Sequence, residues 1–395
     1  MIDPFAPATL GPVTLRNRTI KAATFEGAAP GGLVSQQLID YHLAVAEGGV
    51  GMTTVAYLAV SPEGRTHGDQ IHWRAEALPG LQKLTDAIHA TGASVAAQIG
   101  HAGPVANSAS NGVTAVSPGR RFNPLSMKFD RRATVEDIDR IVTDHANAAR
   151  MAADVGFDAV EVHLGHNYLA SAFLSPKLNH RKDDFGGSPE KRAVFPRRIL
   201  AAVREAVGDR IAVTAKLNMR DGYRGGFDLA ESIPFGHVLE ADGHLDAIEL
   251  TGGSSLMNPM FLFRGDAPVK EMAQRMPLKT LTKAGMRVGG AAFFKKYPWQ
   301  PLYFLEQARQ FRAELSLPLI LLGGITDRAA VTSAMSEGFE FVAMGRALLR
   351  EPDLVNQMQT EPDHRSTCTH CNLCMSTIYQ GTHCHLADAE PRGAA

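Results

Sequence analysis

The stretch Asp158-Ala159-Val160-Glu161-Val162-His163-Leu164-Gly165-His166-Asn167-Tyr168 changes character halfway along. Its first half is a short apolar, β-branched run, the pattern of a buried strand. Its second half is polar and turns at a glycine, so the strand delivers two histidines and a tyrosine to a loop. Helix signals stand on either side. Upstream, Thr134 with Asp137 reads as an N-cap and a variant of the capping box, ahead of Ile138, Ile141, Val142 and His145 on one face; Gly156 fits the stop. Downstream, Ser188-Pro189 reads as N-cap and first residue of a helix toward Val207, with Gly208 as its end. Pro196 inside that segment predicts a kink, or a break between two helices. Helix, strand, loop and helix in this order make one unit of a parallel sheet.

The unit recurs along the chain. Candidate strands are Thr19–Ala23, Val50–Val55, Ser94–Ile99, Asp158–Val162, Ile211–Leu217, Asp246–Leu250, Leu319–Leu322 and Phe341–Met344. Asp327 caps a further short helix that ends before Gly338. Eight strand–helix units favour a closed barrel over an open doubly wound sheet. No G-x-G-x-x-G follows any strand, which argues against a Rossmann dinucleotide domain. Three connections are long, about Gly100–Ala133, His163–Ser188 and Thr251–Pro301. Each follows a strand, so each belongs to the C-terminal face, where barrel enzymes build their sites. The expected architecture is α/β: a single (β/α)₈ TIM barrel over residues 1–360, then a short Cys-rich extension over 361–395 that reads as an appendage.

Composition narrows the function. The 395 residues are 45% hydrophobic and 21% charged, enough to bury a core. Forty basic against 41 acidic residues leave a net charge of −1, which argues against nucleic acid or an anionic membrane as partner. No apolar run approaches the about 18 residues needed to span a bilayer. The start Met1-Ile2-Asp3-Pro4-Phe5 lacks the basic and apolar stretches of a signal peptide. Four cysteines, all beyond residue 367, are too few and too clustered for a secreted disulfide framework. The expectation is a soluble, cytoplasmic homo-oligomer that acts on small molecules.

Several residues at strand ends could carry chemistry. Strands seven and eight end in Gly323-Gly324-Ile325 and Gly345-Arg346. Loops after these strands often bind phosphate through backbone N–H groups, and Arg346 adds a charged fork; the plainer reading is turn glycines. Alternation puts Glu161 and His163 on one face of strand four, and His163, His166 and Tyr168 supply three donors to the barrel mouth. Such donors can hold a carbonyl oxygen whose charge grows during reaction, with Tyr168 as general acid. The same histidines could instead be satisfied core residues, or ligate a metal with Glu161. Gln98 on strand three and Lys216 on strand five bring an amide and a cation to the same level. Together with the phosphate signal they describe an anionic, hydrogen-bonding cofactor lying across the barrel.

At this point the chain resembles a known family. Leu15-Arg16-Asn17-Arg18, Gln98-Ile99-Gly100-His101-Ala102-Gly103, the run Glu161–Gly187 with Phe173-Leu174-Ser175-Pro176, Asn179-His180-Arg181 and Asp184-Phe185-Gly186-Gly187, and Met344-Gly345-Arg346-Ala347-Leu348 are similar in order and spacing to the old yellow enzyme family of FMN-dependent oxidoreductases. The branch resembled is the one near 2,4-dienoyl-CoA reductase.

The resemblance implies FMN as cofactor and NAD(P)H as co-substrate. It implies that Ala22, Ala23, Thr24 and Phe25 lie along the flavin edge, that Gln98 bonds its pyrimidine end and that Lys216 sits near N1/O2. Gly323, Gly324, Gly345 and Arg346 would hold the phosphate. His163 and His166 would grip the oxygen of an α,β-unsaturated substrate, and Tyr168 would deliver the proton. The implied reaction is ping-pong reduction of an activated alkene. The chain departs from the family pattern at Phe25, where Thr or Cys is usual, at Tyr57, where a small residue is usual, at Asn167 for Gly, and at Lys216 for Arg. Phe25, Glu26 and Tyr57 would reshape the pocket or shift the flavin potential. Arg264, in Phe263-Arg264-Gly265-Asp266, reads either as a site for an acidic substrate group or as a solvated loop charge.

Cys368, Cys371, Cys374 and Cys384 form C-x₂-C-x₂-C-x₉-C, which favours a metal site over disulfides in a reducing compartment. The resemblance implies a [4Fe–4S] cluster here. Zinc, to which His370 or His383 would contribute, and no metal at all are the alternatives. Two other functions stay open: an amine or substrate dehydrogenase of the trimethylamine dehydrogenase type that passes electrons through an iron–sulfur site, and a catalytically idle barrel that binds a ligand.

Overall fold

The eight candidate strands do form one closed parallel barrel. They run β1 Thr19–Lys21, β2 Met52–Ala59, β3 Ser94–Gly100, β4 Ala159–Leu164, β5 Ala212–Arg220, β6 Ala247–Gly252, β7 Leu319–Leu322 and β8 Phe341–Met344. Each pairs with its neighbours in chain order, and β8 closes on β1. This computed structural model describes residues 2–275, 283–285, 289–290 and 293–389. Parts of the connection expected at Thr251–Pro301 and of the extension expected at 361–395 lie outside the described residues.

Period-two alternation sorts the interior into layers. At the bottom, Ala96, Ala159, Ala212 and Ala247 from β3 to β6 meet Ile20, Met52, Ile320 and Phe341 from β1, β2, β7 and β8. Small residues on one arc make room for large ones on the other. An antiparallel ribbon, Ala8–Leu10 with Val13–Leu15, packs Leu10 and Leu15 into the same cluster. Two residues further along β3, β4 and β6, and four along β5, the interior turns polar, with Gln98, Glu161, Glu249 and Lys216 all buried. Above that layer it opens into a cavity.

Helices cover the outside. The capped segment at Thr134 is α3, Val135–Asp154 (with α1 Gln36–Glu47 and α2 Leu78–His89 before it), and both halves of its capping box form. Its buried face carries Ile138, Ile141, Val142 and His145. Ser188 caps α4, Pro189–Val207, and Gly208 ends it at φ 54°. The break expected at Pro196 does not occur: α4 runs through it. A proline costs about 3 kcal/mol inside a helix. Burial of Phe195, Ile199, Leu200 and Val203 on the same segment outweighs that cost. Among the described residues, no helix is long and apolar enough to cross a membrane.

The long connections stand where expected. The one after β3 carries a three-stranded sheet of Val116–Ser117, Arg121–Asn123 and Lys128–Arg132; the one after β4 carries a short helix, Leu169–Leu174.

Candidate active site

The polar residues at the strand ends converge on one cavity of about 270 Å³. Ala22, Ala23, Thr24 and Phe25 line it after β1, Tyr57 on β2, Gln98 on β3, His163, His166 and Tyr168 at the end of β4, and Lys216 on β5. Gly323, Gly324, Gly345 and Arg346 line the other end, after β7 and β8.

Strand register sets the polar floor. Gln98 pairs with Glu161, and Lys216 stands between His163 and Glu249. The Lys216 ammonium donates to Glu249 and lies 3.2 Å from Glu161, and the Gln98 amide donates to Glu161 at 2.6 Å. So Lys216 is not a lone cation.

Local backbone strain aims the loop after β4. His166 and Asn167 both sit at positive φ, 57° and 60°. Two such non-glycine residues in succession are uncommon and cluster at functional sites. Asparagine tolerates this conformation better than most residues, which accounts for its standing where the family pattern has glycine. Asn167 is fully buried and accepts from the Tyr223 hydroxyl at 3.1 Å; the His166 N–H donates to Asn218 at 3.1 Å. The turn swings Tyr168 back over His163, with ring centroids 4.3 Å apart, and leaves His166 5.1 Å from His163.

Protonation follows from burial. The backbone N–H of Gly165 donates to Nδ1 of His163 at 3.3 Å, which leaves the proton on Nε2. Burial, helped by the His166 and Lys216 charges, holds His163 well below the usual histidine range, and burial pushes His166 down to about 3. Both rings are neutral donors at physiological pH. Burial raises the Tyr168 hydroxyl above its ordinary value, so it keeps its proton. Tyr57 stands edge-on to Tyr168 at 5.2 Å, and its hydroxyl donates to the Gly64 carbonyl. Phe25 and Tyr57 together narrow this end of the cavity.

Three expectations need correction. Glu26 does not shape the main cavity: it pairs with Lys21 at 3.1 Å and lies 3.4 Å from His42, behind the wall between β1 and α1. Arg264 is not among the lining residues; its guanidinium lies over Phe261, Tyr297, Tyr303 and Phe304 at 5.1 to 5.9 Å. The extension after residue 360 is no appendage. Its His370, Cys374, Met375, Ile378 and Thr382 line the cavity, and Asn372 accepts from Arg346 while donating to the Phe263 and Asp266 carbonyls.

The metal expectation gains no support. Cys368, Cys371, Cys374 and Cys384 are free thiols, and among the described residues no three His, Cys, Asp or Glu side chains converge to hold an ion. Only Cys374 of the four lines the cavity, and burial pushes its thiol up to about 12.

Sequence reading missed the lid. Trp299 stacks on His370 with centroids 3.8 Å apart, and both line the cavity with Leu262, Phe263 and Tyr303. These residues come from separate loops, so no local spacing ties them together. The one local cue was the aromatic density of Tyr297 to Phe304.

The residues suit a flavin mononucleotide. Gly323 and Gly324 adopt φ 107° and 77°, and a Cβ on Gly324 would lie 2.6 Å from the Gln300 carbonyl oxygen. At Gly345 the nearest atom to a Cβ would be a Thr24 methyl at 3.7 Å, so that backbone is open for close approach. Glycine backbone with Arg346 fits a phosphate, and Gln98 with Lys216 fits the polar edge of a ring. A barrel with this constellation defines an FMN-dependent oxidoreductase.

Comparison with known proteins gives the family. The family model described as NADH:flavin oxidoreductase / NADH oxidase matches residues 3–251, and the chain belongs to that family, the old yellow enzymes. It is 54% identical to the 4,4'-dithiodibutanoate disulfide reductase of Rhodococcus erythropolis, over 98% of this chain and 95% of that protein. It is 31% identical to a metal reductase of Desulforamulus reducens, over 95% of this chain but 52% of the relative. Among solved structures, 2-naphthoyl-CoA reductase in complex with 2-naphthoyl-CoA superposes with a TM-score of 0.82 at 26% identity, covering 96% of this chain and 56% of that one. The chain thus spans about half the length of these last two.

Proposed function

We propose that the protein reduces the C=C bond of small activated alkenes with NAD(P)H, using one cavity in turn for both partners. The observation that carries this reading is the convergence of His163, His166 and Tyr168, two neutral donors and one protonated acid, on a single face of the cavity. FMN, when bound, supplies the hydride relay from NAD(P)H to the acceptor. His163 and His166 hold the substrate carbonyl oxygen and favour the charge that builds on it. Tyr168 gives its proton to the carbon next to that carbonyl and recovers one from solvent. The balance is NAD(P)H and one proton consumed for each C=C converted to CH–CH. Phe25 and Tyr57 limit the substrate's width.

The barrel of residues 1–360 and the extension of 361–395 act in this reading as one catalytic unit, because the extension's side chains line the same cavity.

A second acceptor is favoured by a specific observation, the 54% identity to a disulfide reductase. In this reading an organic disulfide takes the alkene's place: hydride forms S–H on one sulfur, and the departing thiolate takes its proton from Tyr168. NAD(P)H, one proton and RSSR give NAD(P)⁺ and two RSH. The buried Cys374 thiol, held protonated, is a poor nucleophile for exchange with such a substrate, so the account uses the cavity's donors and no protein disulfide.

The test is Tyr168→Phe in anaerobic half-reactions. Re-oxidation by an enone should slow by about 10²-fold or more, while reduction by NAD(P)H stays within about twofold. Equal losses in both halves would contradict the acid role. Re-oxidation of the unaltered protein by 4,4'-dithiodibutanoate and not by any enone would favour the second acceptor.

A further inference from the structure

Lys216 shares its charge with two carboxylates. Glu249 stands directly across from it in the β5–β6 register and accepts from its ammonium; Glu161, from β4, lies 3.2 Å from the same nitrogen. All three are at most 5% exposed. Glu161 also accepts from the Gln98 amide, so it is held by two donors, whereas Glu249 meets the Lys216 ammonium on one side and the Glu161 carboxyl on the other. One cation and two ionised carboxylates, all buried, would leave an uncompensated negative charge directly beneath the cavity. The electrostatic cost of that state falls on the less supported carboxylate.

We propose that Glu249 is a positioning residue that sets the charge Lys216 presents to the FMN ring: ionised, it cancels the cation, and protonated, it restores it. The inference rests on the FMN reading above. Every neighbouring element is consistent with such a role. β5 faces Glu249 with Lys216, and β4 contributes Glu161. β7 puts Ile320 in register and consists of Leu and Ile only. His163 and His166 lie beyond Lys216 and are neutral. Burial first, and the Glu161 charge second, push Glu249 up to about 8. The switch therefore falls inside the range where the protein is handled. Reduced FMN carries more negative charge near N1 than oxidised FMN, so it binds better when Glu249 holds its proton. By reciprocity, reduction makes Glu249 take up a proton from solvent, in addition to any that the flavin takes.

The experiment is a spectroelectrochemical titration of the FMN-loaded protein from about pH 6 to about pH 10, on the unaltered protein and on Glu249→Gln. Glutamine keeps the size and can still meet Lys216 through its carbonyl. In the unaltered protein the midpoint potential should fall more steeply with pH just above about pH 8 than below it. In Glu249→Gln the steep segment should vanish, and at high pH the variant should lie above the unaltered protein. A tenfold preference for reduced FMN corresponds to about 30 mV. If the variant fails to fold, the profile of the unaltered protein and its redox difference infrared spectrum, which should show a carboxyl gaining a proton, decide alone. A straight profile with no carboxyl signal would overturn the inference and leave the FMN reading standing. Failure to take up FMN would overturn both.

Discussion

Asn167 shows how one residue position serves the site. Its φ of 60° lets the chain reverse after β4, and its amide oxygen holds the Tyr223 hydroxyl. Alanine would face the left-handed penalty of roughly 1–2 kcal/mol and lose the buried hydrogen bond, worth about 1 kcal/mol. Glycine would lose only the second. Denaturant midpoints should therefore fall more for Asn167→Ala than for Asn167→Gly; the reverse order would contradict the conformational account. The same region shows what single residues reveal. His163, His166 and Tyr168 were legible because β-alternation and strand-end position are local rules. Glu26 misled for the same reason: adjacency to Phe25 in sequence placed it at the cavity, while its side chain answers Lys21 and His42 on the other side of the wall. Burial of a counter-charge is not a local property.

Among elements, the most consequential is the segment after the barrel. The hydrogen bond from Arg346 to Asn372, and from Asn372 to the Phe263 and Asp266 carbonyls, ties β8's end, the loop after β6 and the extension into one frame. Arg346 is thus oriented by the Asn372 amide and by the Arg264 carbonyl, to which it donates at 2.8 Å. Asn372→Ala should weaken FMN retention by about tenfold, because Arg346 loses one of the groups that pre-orient it; the φ of 58° at this buried position and its lost hydrogen bonds lower stability as well, so retention is compared where the variant is folded. FMN release as slow as in the unaltered protein would contradict it. Helix caps at Thr134, Ser188 and Asp327 were readable because capping needs only four neighbouring residues. The extension's role was not, since its contacts span some hundred residues of chain. Of the kink or break read at Pro196, the break is absent, because local propensity carries no information on how firmly α4 is packed.

At the scale of the whole molecule, one period-two pattern on eight strands supports three successive layers: an apolar base, a charged floor and an open mouth. The apolar base fixes the strands, the floor sets the charge beneath the cavity, and the mouth holds the donors. Eight short apolar runs separated by helix signals were enough to predict closure, because an open sheet gives no reason for that repetition. The part of the cavity wall built by Trp299, His370 and their neighbours was not readable from the pattern, since it joins loops far apart in sequence. The most direct test of the central claim is an anaerobic absorbance titration of the FMN-loaded protein. The account predicts that NAD(P)H bleaches the flavin bands and that an enone or 4,4'-dithiodibutanoate restores them with one acceptor consumed per flavin. Bands that NAD(P)H leaves unchanged, or that neither acceptor restores, would contradict it.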